Sequence, residues 1–454
     1  MTRRPRQLLP VLVIAPLLLA ACAGGDAPEE GSTDAGQAVP APPPSTEGTG
    51  GSDQGTGGTE DGSAGGSSSS TDGATTGPDD AGGTDGATAD APASGPVEIT
   101  LAASGDVLAH TWVNTSARMY AGATDRSLIP PPGASYDYTP MFEDVADLVS
   151  SADLAICHME TPLSPDNTDL SIPDTLSFNT PHEMATALAG AGYDGCDFAS
   201  NHTMDRGLAG MEGTEQVLRD AGMGYAGPTA HEDRSGLAEV YDVPAEGGDV
   251  RVAHLAYTYT YPNAGMPTTD IPGEAPWLVD ASWPSIGSAG ILEQAEAAKA
   301  EGADFVVVSM HWGNEYQAEP TPDQRQISAD LLESDAVDLI LGTHVHVIQP
   351  CEQINGKHVI YGLGNSLSNQ SPMTASSLVP ATQEGMVAMF TLSRDAEGEV
   401  TTQMRYQPTR VEIPPERAPG HIIRLVSPDT YPETWERTTT TVDSLGGCGA
   451  EPIS

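Results

Sequence analysis

Five short apolar runs in this chain each end on side chains that can ligate a metal or carry a proton. The first runs into Ser104-Gly105-Asp106-Val107-Leu108-Ala109-His110 and the second into His158-Met159-Glu160. The third leads to Ser200-Asn201-His202-Thr203-Met204-Asp205, the fourth to His311-Trp312-Gly313-Asn314-Glu315-Tyr316 and the fifth to Gly342-Thr343-His344-Val345-His346. Taken singly, these are ordinary. An Asp after Gly serves turns, and a His beside a strand is more often a hydrogen-bonded structural residue. His344 and His346 say more. In an extended segment residues i and i+2 point to the same side, so both imidazoles would face one space. Two imidazoles, with carboxylates and an amide oxygen on neighbouring strands, make a nitrogen and oxygen donor set suited to Zn, Mn or Fe.

Such a convergence needs a scaffold that brings strand ends together. The apolar runs 97–103, 153–159, 195–200, 252–257, 304–310, 337–341 and 358–361 predict strands. Amphipathic stretches at about 139–150, 182–191, 209–221, 288–301 and 322–334 predict the helices between them. Strand and helix in alternation argue for an α/β domain with a largely parallel sheet, and in such sheets ligands bind beyond the carboxyl ends of the strands. Residues 384–392 and 400–408 read as a hairpin that closes this sheet or starts a second. Residues 396–454 are then either a sheet edge with a C-terminal cap or a small appended module.

A longer motif series adds a family. Gly105-Asp106 with His110, Tyr136-Asp137-Tyr138 with Pro140-Met141-Phe142, Glu160-Thr161-Pro162, Phe178-Asn179-Thr180-Pro181, Asn201-His202 with Asp205-Arg206-Gly207, His311-Trp312-Gly313 with Glu315-Tyr316, Gly342-Thr343-His344-Val345-His346 with Gln349-Pro350, and Tyr361-Gly362-Leu363-Gly364-Asn365-Ser366 occur in this order. Together they resemble the capsule-synthesis CapA family over about residues 97–395. That family is associated with poly-γ-glutamate capsule production and is similar to the calcineurin-like metallophosphoesterases. The resemblance implies a four-layer α/β/β/α sandwich with two divalent ions. Carried over residue by residue, Asp106, His346 and His110 would hold one ion, although the phosphoesterase spacing is Asp-x-His and here it is Asp-x-x-x-His. Glu160 would bridge, where phosphoesterases have Asp. Asn201, His311 and His344 would hold the second ion. His202 matches the unligated His that polarises the substrate or protonates the leaving group, and Asp205 would orient it. Trp312, Glu315 and Asn365 are placed beside the substrate, Trp312 either as a stacking wall or as packing beneath its loop, and Asn365 in a turn.

The function implied is a cell-surface, metal-dependent hydrolase-like protein that makes, releases or anchors an anionic capsule polymer, working with a capsule-synthesis membrane complex. Its substrate would be a phosphoester or an amide of poly-γ-glutamate. A non-catalytic polymer-binding or export accessory, and a surface phosphoesterase unrelated to capsule, stay open, and so does the question whether the chain is an enzyme at all.

Charge and leader set the compartment and exclude one class of partner. The 454 residues carry 18 basic and 64 acidic side chains, a formal charge of −46. Nucleic acid is excluded as a ligand, because binding it depends on neutralising phosphates with Lys and Arg. Residues 1–21 read as a leader, with Arg3, Arg4 and Arg6 before an apolar run. Leu19-Ala20-Ala21-Cys22 resembles a bacterial lipobox, which implies lipidation at Cys22 and an anchor on the outer face of the cell membrane. Residues 23–95 contain 13 acidic and no basic side chains, 19 Gly and 7 Pro. They cannot bury enough surface to order themselves, so 22–95 reads as a disordered tether with an r.m.s. span of roughly 50 Å. Residues 96–454 keep −36 of the charge. An anionic polymer would therefore have to approach through cations. Cys157, Cys196, Cys351 and Cys448 are read as small buried residues or structural bridges, with three full pairings open.

Overall fold

The computed structural model describes residues 96–246, 248–414 and 420–453. The leader, Cys22 and the acidic tether lie outside these residues. Among the described residues no helix is long and apolar enough to cross a membrane.

The strand β1 (Val97–Val107) shows why the chain forms layers. Val97, Ile99, Leu101 and Ala103 enter one buried core, while Ala102 and Val107 enter another. Successive strand side chains point to opposite faces, so β1 must be covered on both sides. It is followed by α1 (Thr111–Tyr120), α2 (Thr139–Val149), β2 (Leu154–Met159), the short pair β3 (Leu163–Ser164) and β4 (Thr180–Pro181), α3 (Glu183–Gly190), β5 (Gly195–Asp197), α4 (Gly207–Asp220) and β6 (Gly224–Ala226). β1, β2, β5 and β6 pair in that order, all parallel. Met141, Phe142 and Val145 of α2, Leu188 of α3 and Met211 and Leu218 of α4 cover the outer face.

A second sheet covers the inner face. It comprises β7 (Glu239–Val243), β8 (Val250–Tyr257), β9 (Phe305–His311), β10 (Leu339–Thr343), β11 (Cys351–Ile354) and β12 (Lys357–Ile360), in the order β11-β12-β10-β9-β8-β7. Phe305, Val307, Leu339 and Leu341 meet Ile99 and Leu101 in the core between the sheets. Their neighbours Val306, Val308, Met310 and Ile340 pack on Ile291, Ala295, Ile327 and Leu331, which belong to α5 (Trp283–Ala300) and α6 (Pro322–Leu332). The layers are thus α/β/β/α. Each large side chain so buried contributes about 1.5–3 kcal/mol. α5 breaks at Gly287, whose φ is 61°, which is why only its second half shows the helical periodicity expected from 288 onward. α6 starts on a capping box, with the Thr321 side chain and that of Gln324 bonding each other's backbone N–H.

The C-terminal region extends the first sheet. β13 (Asn365–Leu367) pairs with the end of β1. The expected hairpin is β14 (Glu384–Arg394) and β15 (Val400–Glu412), and β14 runs antiparallel to β1. β16 (Ile422–Leu425) and β17 (Glu451–Pro452) pair with β15. α7 (Pro432–Val442) is fastened by Arg437 and Thr434 to the buried Glu384. Residues 396–414 and 420–453 are therefore a sheet edge and cap rather than an appended module. Two disulfides form, Cys157–Cys196 between the registered strands β2 and β5, and Cys351–Cys448 from β11 to the C-terminal segment.

Candidate metal centre

The chemistry lies beyond the carboxyl ends of β1, β2, β5, β9 and β10. Between Ser104 and Asp106 the register of β1 against β2 shifts, a bulge that re-aims the next side chain. Gly105 makes the bulge fit, because a Cβ there would lie 2.0 Å from Gly364 O. Asp106 N then donates to Gly364 O at 3.0 Å, and its carboxylate is completely buried. Oδ1 accepts from His344 N at 3.1 Å and Oδ2 faces His346 Nδ1 at 3.0 Å.

His344 and His346 converge, with ring centroids 6.1 Å apart, but not by strand parity. β10 ends at Thr343, and His344 and His346 have φ of 90° and 57°. The expectation of an extended pair is corrected. Left-handed backbone at two non-glycine residues costs on the order of 1–3 kcal/mol each, and it is held here by Asp106 on the His344 amide and by Asn365 Oδ1, 3.1 Å from His346 Nδ1.

Asp106, Glu160 and His346 offer ligand atoms that all lie within 4.8 Å of one another. The site fits a cation on a specific ground: both carboxylate oxygens of Glu160 are buried without a hydrogen-bond partner, and a buried charge is ordinarily paired or bound to a metal. His346 Nε2, at 3.6 Å from Glu160, is the nearest positive group in that cluster. Burial would raise the Asp106 carboxyl, but the hydrogen bond and charge of His346, with His158 nearby, hold it below the usual range. Burial pushes Glu160 up to about 7, Asp106 adding to the rise. Burial also opposes charge on His346, yet Glu160 and Asp106 outweigh it and raise that group to about 10.

A second set of donors adjoins the first. His311 Nε2 is 3.0 Å from Asn201 Oδ1, and the His311 and His344 rings lie 4.7 Å apart. Thr343 Oγ1, 3.1 Å from His311 Nδ1, is placed to accept its proton and so leave Nε2 as a lone-pair donor. Asn201 is turned the same way, because its Nδ2 donates to Asn263 Oδ1 at 2.9 Å. His344 Nδ1 has no partner. Burial, with His346 adding, lowers His344 to about 3, and burial with His344 pushes His311 well below its ordinary value. Both imidazoles are neutral, as ligands must be. Next to them His202 Nδ1 sits 2.9 Å from Asp205 Oδ2, which also accepts from Phe178 N at 2.6 Å.

The remaining expectations divide. Trp312 is buried in the outer core with its Nε1 on Tyr361 O at 2.9 Å, so it is loop packing and not a stacking wall. Asn365 is corrected as a substrate contact: fully buried, it braces His346 and donates to Thr382 O at 2.7 Å. Glu315 is exposed at the rim, where its charge reaches His346. His110 stands outside the Asp106, Glu160 and His346 group. Its Nδ1 lies 3.3 Å from the Asn369 N–H and 3.1 Å from Leu108 O, and its ring meets the edge of Phe178 at 5.5 Å. Burial lowers it to about 4.

A family model described as bacterial capsule synthesis protein PGA_cap matches residues 100–370, a stretch that holds every donor named above. The chain belongs to this family. Relatives include the capsule biosynthesis protein CapA of Bacillus anthracis, 28% identical over 51% of this chain and 54% of that one. The PGA biosynthesis protein CapA of Bacillus subtilis is 28% identical over 51% of this chain and 57% of that one. The chain thus spans somewhat over half the length of these curated relatives. A calcineurin-like phosphoesterase from Bacillus subtilis overlays 76% of this chain and 98% of its own at 14% identity and a TM-score of 0.37.

In this PGA_cap member, sequence reasoning assigns no role to four residues near the rim. Tyr259 packs its ring 4.5 Å from His344, Asn263 orients Asn201, and Phe178 wedges between His110 and His202. Tyr259 and Asn263 sit on loops whose spacing carries no signal, and Phe178 enters only through the motif series. The fourth, His158, does carry one, since it stands two residues before Glu160 on β2 and strand parity turns both to one face.

Proposed function

We propose that this PGA_cap member is a metal-dependent hydrolase-like protein of the cell surface, tethered through lipidated Cys22 and acting on an anionic polymer such as poly-γ-glutamate or on a phosphoester. The observation that carries the reading is the buried Glu160 carboxylate, without a hydrogen-bond partner and grouped with Asp106 and His346, with a second group of neutral donors beside it. Asp106, Glu160 and His346 would hold one divalent ion, and Glu160, Asn201, His311 and His344 a second, with Mn, Zn or Fe compatible with these donors. Ions held there supply Lewis-acid polarisation of a phosphoryl or carbonyl oxygen. The chain's own chemistry is proton delivery. Asp205 occupies Nδ1 of His202, so Nε2 is the nitrogen left to hand a proton to the leaving atom, a role worth roughly 10²–10⁴-fold. The polymer names of the relatives and the acidity of the folded part agree on one route: an anionic chain meets this protein through its cations.

The test is elemental analysis of the purified protein, followed by assays on bis-p-nitrophenyl phosphate and on poly-γ-glutamate with wild type and His202→Ala. Turnover that requires metal and falls in His202→Ala supports the reading. Absence of metal, with Asn201→Ala and His344→Ala behaving as wild type, removes it. Metal without turnover of either substrate leaves a polymer-binding accessory.

A further inference from the structure

The proposed ligand sets leave one buried imidazole unused. His158, on β2, has its Nδ1 2.6 Å from Asp197 Oδ1 on the neighbouring strand β5, where the two residues are in register. Both side chains are buried. The other ring nitrogen, Nε2, is buried and has no hydrogen-bond partner. It lies 4.0 Å from Asp106 Oδ1, and the ring stacks 4.9 Å from that of His311. We infer that His158 is a further metal ligand through Nε2, joining Asp106 on its ion, with Asp197 as the carboxylate that fixes its tautomer. This rests on the metal-centre reading above.

Three observations lead there. A histidine ligand commonly donates its other ring N–H to a carboxylate, which sets the tautomer and the ring angle, and Asp197 does so for His158 over a short distance. The separation of Nε2 from Asp106 Oδ1 is within the span of two donors on one ion, at most about 4.2 Å from ordinary metal–nitrogen and metal–oxygen lengths. Asp106, Glu160 and His346 supply three side chains, which leaves at least the fourth position of a tetrahedral ion open. A His–Asp pair that merely tied β2 to β5 would gain nothing from a second nitrogen left buried and unbonded, which costs about 1–3 kcal/mol. Coordination removes that cost.

The experiment measures metal binding directly, on wild type, His158→Gln, His110→Gln and Asp197→Asn. Bound zinc per chain is read by elemental analysis, the zinc dissociation constant by competition with a chromophoric chelator, and imidazoles per ion by zinc K-edge absorption. Expected are a loss of one ion or a large weakening in His158→Gln, with fewer imidazoles per ion, and a roughly 10–100-fold weaker constant in Asp197→Asn. Wild-type stoichiometry and affinity in His158→Gln, or a loss confined to His110→Gln, overturns the inference. If His158→Gln loses its near-UV circular dichroism, Asp197→Asn decides, and unchanged affinity there overturns it equally. Wild type that binds no zinc overturns the metal centre itself, a different failure.

Discussion

Replacing Gly105 by alanine tests whether the bulge at the end of β1 builds the site. The added methyl would lie 2.0 Å from Gly364 O and 2.9 Å from Leu363 Cβ, where ordinary contact begins at 3.4 Å. β1 and the 363–364 segment must then part by about 1.4 Å, beyond the reach of the 3.0 Å bond from Asp106 N to Gly364 O. Overpacking costs about 1–3 kcal/mol, and leaving that buried N–H unmet costs about 1–3 kcal/mol more. The expected loss of stability is therefore roughly 2–6 kcal/mol. Asp106 also leaves the tolerance of about 0.5 Å that a ligand constellation allows, so zinc affinity should fall roughly 10–100-fold. Urea unfolding reads the first number and chelator competition the second. Gly190→Ala is the control: it closes α3 with no atom within 4 Å of the new methyl, and it should be neutral or stabilising by up to about 1 kcal/mol. A Gly105→Ala protein within about 0.5 kcal/mol of wild type, with zinc affinity intact, would refute the reasoning.

Manganese affinity should rise with pH. Glu160, at about 7, and His158 and His346, at about 9 and 10, carry protons below neutrality that an ion must displace. His344, His311 and Asp106, all lowered, have none to release there. Isothermal titration between pH 6 and 7 should show the logarithm of the binding constant climbing by more than one unit, and a flat profile contradicts the assignment. His202→Ala should cut turnover of bis-p-nitrophenyl phosphate by roughly 10²–10⁴-fold at unchanged metal content; a parallel loss of metal would make His202 a ligand instead. Removing Cys351–Cys448, whose cysteines are 97 residues apart in sequence, by a double serine variant should cost up to about 4–5 kcal/mol in denaturant unfolding under oxidising conditions, and no difference from wild type would show that the bridge does not form.

The strands that deliver the site were legible chiefly because β2, β9 and β10 are buried throughout and mostly apolar, and the donors follow at or near the strand ends. Other elements were hidden for physical reasons. α1 buries Asn114, Thr115, Ser116 and Arg118 alongside Val113 and Ala117, so no apolar stripe marks it. Their polarity is met from afar, Tyr138 OH donating to Asn114 Oδ1 at 2.6 Å and Ser116 Oγ lying 2.7 Å from His421 Nδ1. β6 is only three residues long, and β7 alternates half-buried and exposed side chains at a sheet edge. The His344 and His346 pair was recognised through a parity argument that the backbone does not obey. Convergence came instead from left-handed geometry imposed by Asp106 and Asn365, partners distant in sequence. Trp312 illustrates the converse, because a tryptophan after a ligating histidine looks like a substrate wall until its indole is seen to close the core against Tyr361.

The pairing of β1 with β14 bears on how the molecule must assemble. Val97 through Ser104 bond antiparallel to Arg394 through Val387, so the strand that carries Asp106 waits for a partner at the far end of the chain. A fragment trimmed to the family-matched stretch, ending at residue 370, would keep every proposed ligand yet leave an apolar, two-faced strand as a bare edge, which invites aggregation. Long-range pairing of this kind also folds slowly. The ion site is thus a late product of folding: its donors are all synthesised by residue 346, but the platform that aims the first of them is complete only with the arrival of β14.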